Sequence, residues 1–527
     1  MDETRHAEGG MWLAQYDFRT KQRYIFRTSR IKEIVGASAL ITCMYDLFLD
    51  GLMEKGISVR KNYKFPTRIT GKDGWQYSVD RFIDLKYDNE ADALFDTDLG
   101  QSDGIVLYVG GGNLYILWKD YETAIRANHL LCALLREETY SLFPACGMTP
   151  YTGKYHDDIA RLTENFNQSK EELTPFMPMA VLPFTRVDRR TSYPVAKVIQ
   201  TPEGNQEYLP QECWLKRNVN DRRIKVSQPE EDPLGVSELD EMTQKGTDSL
   251  LAVLHIDGNN MGSRVSREMS EDNEKPLQNY SEAVTKIRGF SNEIQMNFVT
   301  RPLEEIGKWL TEHKQRARII VAGGDDVTLV CGAKNAFELA KVYFQTLIDR
   351  NNAKQDKSKI DTACAGMCIF HSHSPFATAY QIAEECCDNA KKVNRQHGSG
   401  NMLLDFQYCF SGITGDLETM READAALMGR PYCFWSDKEN GLKTAMKLEK
   451  YGVLCNDIGR SNVKQLASLL LMNRKQEFLL EIQRLMTIVL APAAKEFLEE
   501  LADDKAQQYL FDIAQVFDLW FREERRL

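Results

Sequence analysis

The sequence predicts an α+β protein in which one module of strands and helices occurs twice and an all-helical segment closes the chain. Three observations carry this. First, Ile319-Ile320-Val321 and Val327-Thr328-Leu329-Val330 flank a Gly323-Gly324-Asp325-Asp326 turn, and short β-branched runs on either side of a glycine turn read as a hairpin. Second, the upstream apolar run Leu251-Ala252-Val253-Leu254-His255-Ile256 leads into Asp257-Gly258-Asn259-Asn260, a strand that ends in a carboxylate. Third, residues 1 to about 150 repeat the same order of strand, acid, helix, hairpin and helix.

The acids give the second copy its chemistry. Adjacent carboxylates repel, and burying them is costly unless a cation joins them, so a divalent metal is the natural partner of Asp325 and Asp326. On its own this turn reads equally well as an exposed loop that contains aspartate. If the strand ending in Asp257 lies beside the hairpin, three carboxylates converge on one or two Mg2+ or Mn2+ ions. Such a centre activates a hydroxyl and neutralises a triphosphate during in-line displacement. That arrangement would be a ferredoxin-like palm of the nucleotidyl cyclase and polymerase kind, with Asp257, Asp325 and Asp326 as candidate catalytic and metal-ligating residues.

Composition narrows the classes. At 527 residues the chain exceeds one ordinary core and suggests about three or four domains. A net charge of −11 argues against a free-standing nucleic-acid binder, which needs a basic footprint. The sequence reads as having no run of 18 apolar residues and no signal-peptide core, so a cytosolic protein without membrane contact is expected. The twelve cysteines are scattered through apolar segments and lack CxxC spacing, so reduced core thiols and no zinc are expected.

In the first module, 1–150, Trp12-Leu13-Ala14-Gln15-Tyr16-Asp17-Phe18 is a strand ending in an acid. A helical stretch through Ile31, Ile34, Leu40 and Ile41 follows, then Ile105 to Leu117 around Gly110-Gly111-Gly112-Asn113. Set beside the second module, Gly111-Gly112-Asn113-Leu114 falls on Gly323-Gly324-Asp325-Asp326, so the hairpin is kept and its acids are lost. The next helix has Ala124, Ala127, Leu130, Leu131 and Leu134 on one face, as Phe337, Ala340, Phe344 and Leu347 follow the acidic hairpin. Glycines kept at a turn without acids point to a tight hairpin or to a ligand against the backbone. Gly111, Gly112 and nearby Ser38 are therefore candidates to seat an acceptor nucleotide.

The segment 151–246 is a mixed middle domain cut by Pro175, Pro178, Pro183, Pro194, Pro202 and Pro210, with an exposed connection at Ser227 to Pro233. Its His156-Asp157 dipeptide has no second histidine at helical spacing and reads as surface polarity. In the second module, 247–410, Ala283, Ile287, Phe290, Ile294 and Phe298 form one buried helical stripe. Thr362 to Phe370 reads as a strand and Ala377 to Lys392 as a helix. Lys391 and Lys392 near its end either reach a triphosphate or complement the helix dipole. With Gly258, Asn260, Gly323 and Gly324 they complete the candidate nucleotide-binding set. From 411 to 527 the pattern is helical, through Val463, Leu466, Phe478, Ile482, Leu510, Ile513 and Phe517.

Two palms of which only the second bears Gly-Gly-Asp-Asp, followed by a helical domain, resemble the large polymerase-like subunit of type III CRISPR effector complexes, the Cmr/Csm large subunit. The resemblance lies in Gln22 to Arg30 leading to Gly36-Ala37-Ser38-Ala39-Leu40, in Asp257 to Gly262 with Gly323 to Asp326, and in Gly459 to Leu466. It implies an ATP-using subunit that makes a cyclic oligoadenylate messenger when a guide RNA captures target RNA, assembled with other effector subunits. It also implies that Asp257, Asp325 and Asp326 hold the metals. Position 259 is Asn where many relatives carry Asp. The amino-terminal HD nuclease domain of many relatives is not found, so DNA cleavage is not expected, and neither are their zinc-binding cysteine pairs.

Three functions of different class follow: a regulated nucleotidyl transferase in an RNA-guided assembly, a free-standing cyclase related to the GGDEF enzymes, and a silent scaffold. The intact acids disfavour the scaffold, and the degenerate first palm with its helical tail disfavours the free-standing enzyme. Joining ATP to S-adenosylmethionine at the same site is the alternative product chemistry.

Overall fold

The computed structural model describes residues 10–28, 30–60, 68–71, 74–78, 101–172, 184–201, 204–219, 224–225, 233–234, 239–243, 249–271, 275–354, 360–398, 400–409, 415–436 and 441–522. Ser29, Pro175, Pro178, Pro183, Pro202 and most of the expected connection at 227–233 lie outside these residues. By contacts the chain groups into two compact units. One is Met1–Glu230 with Asn260–Thr300 and Ile320–Asp325; the other is Glu231–Asn259 with Arg301–Ile319 and Asp326–Leu527. This grouping follows a different line from the four segments read in the sequence.

The first palm is built on β1 (Trp12–Arg19), α1 (Ile31–Glu54), β2 (Gly104–Gly110), β3 (Asn113–Trp118), α2 (Tyr121–Thr139), β4 (Phe143–Pro150) and α3 (Tyr155–Glu172). Its sheet runs Val59–Arg60, β2, β3, β1, β4, with β1 antiparallel to both neighbours. Taking β1, β2, β3 and β4 as first to fourth, the order 2-3-1-4 is that of a ferredoxin-like fold. The sequence reading ended this module at 150; the structure carries it on through α3, which packs against β4 at Gly147. A Cβ there would lie 2.6 Å from Phe166 Cβ, so only glycine lets helix and sheet approach this closely.

In α1 the long apolar run is a core helix. It contains an 18-residue window of mean hydropathy 1.4 that passes as a membrane span by length and composition, contrary to the sequence reading, and 83% of that window is buried. Glu33, Asp46 and Asp50 are buried with it, acids that hydrocarbon would not accept at low cost. Against α1 packs α4 (Gln211–Arg217), so closely that a Cβ on Gly36 would collide with the Lys216 carbonyl.

The second palm repeats the plan with β5 (Leu250–Gly258), α5 (Tyr280–Ile294), α6 (Arg301–Glu312), β6 (Ala317–Gly323), β7 (Asp326–Gly332), α7 (Ala336–Ala353), β8 (Ala363–His371), α8 (Phe376–Gln396), β9 (Asn401–Tyr408) and β10 (Tyr432–Ser436). Its sheet order is β6-β7-β5-β8-β9-β10, whose first four strands match β2-β3-β1-β4 of the first. The fold class read from the sequence is therefore present: mixed α and β with two palms and a helical end.

Two details differ from the sequence reading. β10 lies in the stretch read as wholly helical; a five-residue strand has too few residues to show a period. The hairpins also superpose one residue away from the expected alignment. β2 ends at Gly110 and β3 begins at Asn113 around Gly111-Gly112, whereas β6 ends at Gly323 and β7 begins at Asp326 around Gly324-Asp325. Asn113 is thus the counterpart of Asp326. Gly111 and Gly112 have φ of 57° and 77°, the left-handed pair of a tight two-residue hairpin.

The chain ends in α9 (Ala445–Ile458), α10 (Arg460–Leu471), α11 (Lys475–Ile488), α12 (Pro492–Ala502) and α13 (Gln507–Trp520). Each buries one stripe, as in Val463, Leu466 and Leu469 of α10 or Leu510, Ile513, Val516 and Phe517 of α13. The buried Asp512 carboxylate on α13 accepts from Tyr432 OH at 2.7 Å and Gly429 N at 2.8 Å. The bundle is thereby tied to β10.

Candidate functional site

The site begins with the register of β5 and β7. The pairs from Leu251 opposite Gly332 to Ile256 opposite Val327, apolar except for His255 opposite Thr328, end with Asp257 directly opposite Asp326. Like charges directly opposite each other across strands destabilise a sheet unless something cationic offsets them. Lys391, on α8, does so: its ammonium contacts Asp257 Oδ2. Asp257 and Asp326 keep about a third of their side-chain surface (34% and 33%), so the pair is open to a ligand.

α8 is held against the sheet by Gly366 on β8, where a Cβ would collide with the Ala383 carbonyl and the Cys387 amide. Lys391 lies one helical turn beyond Cys387, which aims its side chain at the strand end. Lys392 is exposed. Of the two lysines left open by the sequence, the structure brings Lys391 to the acids and leaves Lys392 to the solvent.

Beneath Asp326 sits His255, which sequence reading passed over as one more residue of an apolar strand. Its Nδ1 lies 2.9 Å from Thr328 Oγ1 and 3.4 Å from Asp326 Oδ1, and its ring meets Tyr380 edge-on. Burial pushes its pKa below the ordinary value. Asn259 is buried, its Nδ2 donating to Thr362 Oγ1 at 3.1 Å and to the Asn401 carbonyl at 3.0 Å. Position 259 therefore ties β5 to its neighbours. Gly258 pairs with Ala363 at the strand end, and Asn260 follows in the left-handed region at φ 57°.

The unit that contains 260–300 and 320–325 holds the other half of the turn. Gly324 has φ 67°, and its amide donates to Gln295 Oε1 at 2.9 Å. A Cβ on Gly324 would stand 3.9 Å from Gly111 Cα, while Gly323 faces open space. Burial raises the Tyr108 phenol pKa, and the nearby Asp325 carboxylate adds to the shift. The stripe on α5 read as core also carries Arg288, whose guanidinium donates to the carbonyls of Leu107 (2.7 Å) and Val106 (3.1 Å) on β2. No periodicity shows that anchor. Nor does it show Tyr45 on α1, whose hydroxyl donates to Tyr16 O (3.0 Å) and Gly112 O (2.8 Å). Ser38 is 5% exposed inside α1 and offers a ligand almost no surface.

Among the described residues no group of three or more His, Cys, Asp or Glu stands ready to hold a metal. The donor set nevertheless fits one. Two hard carboxylates facing each other suit Mg2+ or Mn2+, which commonly takes one or two protein carboxylates and completes its shell with water and phosphate oxygens. The Lys391 ammonium already marks the place as one that selects positive charge. All twelve cysteines are free thiols, ten of them buried.

Residues 250–399 match the family model described as Cas10/Cmr2, second palm domain. No curated protein matches the chain. Solved structures similar to this chain include the Csm1-Csm4 cassette in complex with AMPPNP, at 16% identity over 98% of this chain and 70% of that one with a TM-score of 0.48. The cassette in complex with cA3 has 15% identity, coverage of 99% and 71%, and a TM-score of 0.48. The cassette with one ATP has 15% identity, coverage of 98% and 70%, and a TM-score of 0.48. The family match thus falls on the second palm, residues 250–399, where the sequence motifs place the acids.

Proposed function

We propose that this chain is an ATP-using nucleotidyl transferase of a type III CRISPR effector complex, making a cyclic oligoadenylate messenger when target RNA pairs with the guide. One observation carries the reading: within the segment that matches the Cas10/Cmr2 second palm, Asp257 and Asp326 are exact cross-strand partners at an open strand end, with Lys391 upon them. A divalent ion held by Asp257, Asp325 and Asp326 would supply charge neutralisation for the triphosphate and a more acidic attacking hydroxyl.

The chain's own residues do the rest. His255, hydrogen-bonded to Thr328 and with its Nδ1 3.4 Å from Asp326 Oδ1, would limit where that carboxylate can turn. Lys391, now on Asp257, would be free to turn its ammonium to a phosphate oxygen when a cation takes that carboxylate. Gly323 and Gly324 present bare backbone, so a nucleotide can approach the turn closely. Lys392, Gly258 and Asn260 complete the proposed nucleotide contacts, and Gly111 and Gly112 the acceptor side. The partners in this reading are the other effector subunits, guide RNA and target RNA.

Asp325→Asn with Asp326→Asn tests it, since it removes charge at nearly constant volume. In the assembled complex with target RNA, ATP and Mg2+ or Mn2+, product measured by mass spectrometry falls on the order of 10²–10³-fold, with assembly and thermal melting unchanged. Wild-type synthesis by the folded double variant would sink the assignment. Adding S-adenosylmethionine to the same reaction distinguishes a ring product from an adduct.

A further inference from the structure

The two palms repeat residue by residue around one acid. β1 reaches Asp17, and three residues on Thr20 is left-handed (φ 52°) before the short helix Lys21–Ile25. β5 reaches Asp257, and three residues on Asn260 is left-handed (φ 57°) before the helix Met261–Glu268. Asp17 pairs with Ala145 and Asp257 with Cys364. Two residues along those partner strands, Gly147 and Gly366 admit Phe166 of α3 and Cys387 of α8. One turn beyond each, a lysine reaches the acid: Lys170 Nζ lies 3.3 Å from Asp17 Oδ2, and Lys391 contacts Asp257.

At two positions the repeat breaks. The residue after the left-handed one is Lys21 in the first palm and Met261 in the second. The residue that opens the strand after the hairpin is Asn113 in the first and Asp326 in the second. Lys21 Nζ lies 2.7 Å from Asp17 Oδ1, directly under Gly112, where any Cβ would collide with the ammonium. Asn113 is neutral and used locally, accepting from Gln15 Nε2 at 3.0 Å and donating to the Gly111 carbonyl at 3.1 Å. The first palm therefore sets one carboxylate against two ammonium groups, and the second sets two carboxylates against one. The first balance repels a dication and the second attracts one.

We propose that Lys21 is a built-in substitute for a divalent cation: the first palm retains the acid and helix lysine of a metal-binding palm but fills the cation's place with its own ammonium. The second carboxylate, no longer needed, is an amide. The inference rests on reading the second palm as metal-binding. It confines the metal dependence of the whole chain to one palm, and it names the two residues that make the difference.

Mn2+ uptake by the full chain, counted by electron paramagnetic resonance, tests it. Lys21→Met with Asn113→Asp gives the first palm the second palm's residues, and it gains one bound Mn2+ over wild type. Met261→Lys does the reverse, putting the first palm's lysine at the matching sequence position, and weakens wild-type Mn2+ binding at least tenfold. A folded Lys21→Met/Asn113→Asp chain with no added Mn2+ overturns the inference, as does Met261→Lys with undiminished binding. If the double variant does not fold, Met261→Lys decides alone. A gain in the double variant over a wild type that binds none supports the inference while removing the metal from the second palm; wild-type binding that neither variant alters does the opposite.

Discussion

Lys216 shows how a single side chain can hold an element that looks dispensable in sequence. It is completely buried, with its ammonium donating to Glu212 Oε1 and to the Tyr24 carbonyl, each at 2.6 Å, and lying over the Tyr24 ring. Glu212 is equally buried; it also accepts from Ser141 and has Arg27 Nε at 3.4 Å. Burial lowers the Lys216 pKa, and the carboxylate beside it works against that shift. Removing one partner of such a pair leaves a buried charge without its counter-ion, which costs about 3–5 kcal/mol. Lys216→Met is therefore expected to destabilise the unit containing the first palm by about that much. Lys216→Met with Glu212→Gln is expected to cost less, because no fully buried charge is left behind; only Arg27, whose side chain keeps 17% of its surface, loses its Glu212 contact. Equal losses in urea unfolding would show that packing against Gly36, and not the charge pair, holds α4. None of this was legible in the sequence, where Gln211 to Arg217 falls in the proline-cut middle segment. The signal is tertiary, the bare Gly36 backbone that admits the Lys216 carbonyl.

At the scale of elements, the second palm was legible because its strands and helices are long enough to show a period. β5 is an apolar run, interrupted only by His255, that leads into an acid, and α8 runs twenty-one residues with apolar residues at helical spacing. The acid turn was legible because glycine at positive φ has a steric cause. What periodicity could not supply was attachment: α3 reads as part of a separate middle domain, yet packs on β4 and brings Lys170 to Asp17. Gly366 marks the equivalent attachment in the second palm. Gly366→Ala drives a methyl into the Ala383 carbonyl and Cys387 amide, with the Cys386 carbonyl carbon 2.9 Å away. Overpacking of this kind costs about 1–3 kcal/mol, and the contact is backbone, which cannot step aside as a side chain can. The expected outcome is a lower melting temperature and, under the proposed function, weaker nucleotide synthesis, as α8 withdraws Lys391 from Asp257. Gly289→Ala on α5, where a Cβ meets nothing within 4 Å, should melt at or slightly above wild type. If both variants melt alike, close packing at Gly366 is not what seats the helix.

For the whole molecule, charge decides what the chain can do alone. Its 66 basic and 77 acidic residues leave a net −11, and many of the basic groups are already paired, as Lys391 is with Asp257 and Arg217 with Glu33 and Glu207. Affinity for RNA comes mainly from cations that displace condensed counterions, one for each phosphate neutralised. A chain of this balance repels a polyphosphate at long range, and at 0.15 M salt only groups within about 8 Å of the strand act at full strength. If the proposed RNA-guided function is right, the basic path for RNA must then be supplied largely by partner subunits. The isolated chain is accordingly expected to bind single-stranded RNA more weakly than about 1 µM at 150 mM salt, within the usual non-specific range. The same RNA is expected to stimulate ATP turnover only in the assembled complex. Fluorescence anisotropy of labelled RNA against the chain alone reads the first point. A dissociation constant well below 1 µM at that salt, falling steeply in strength as salt rises, would reveal a local basic footprint able to overcome the field of the acidic whole.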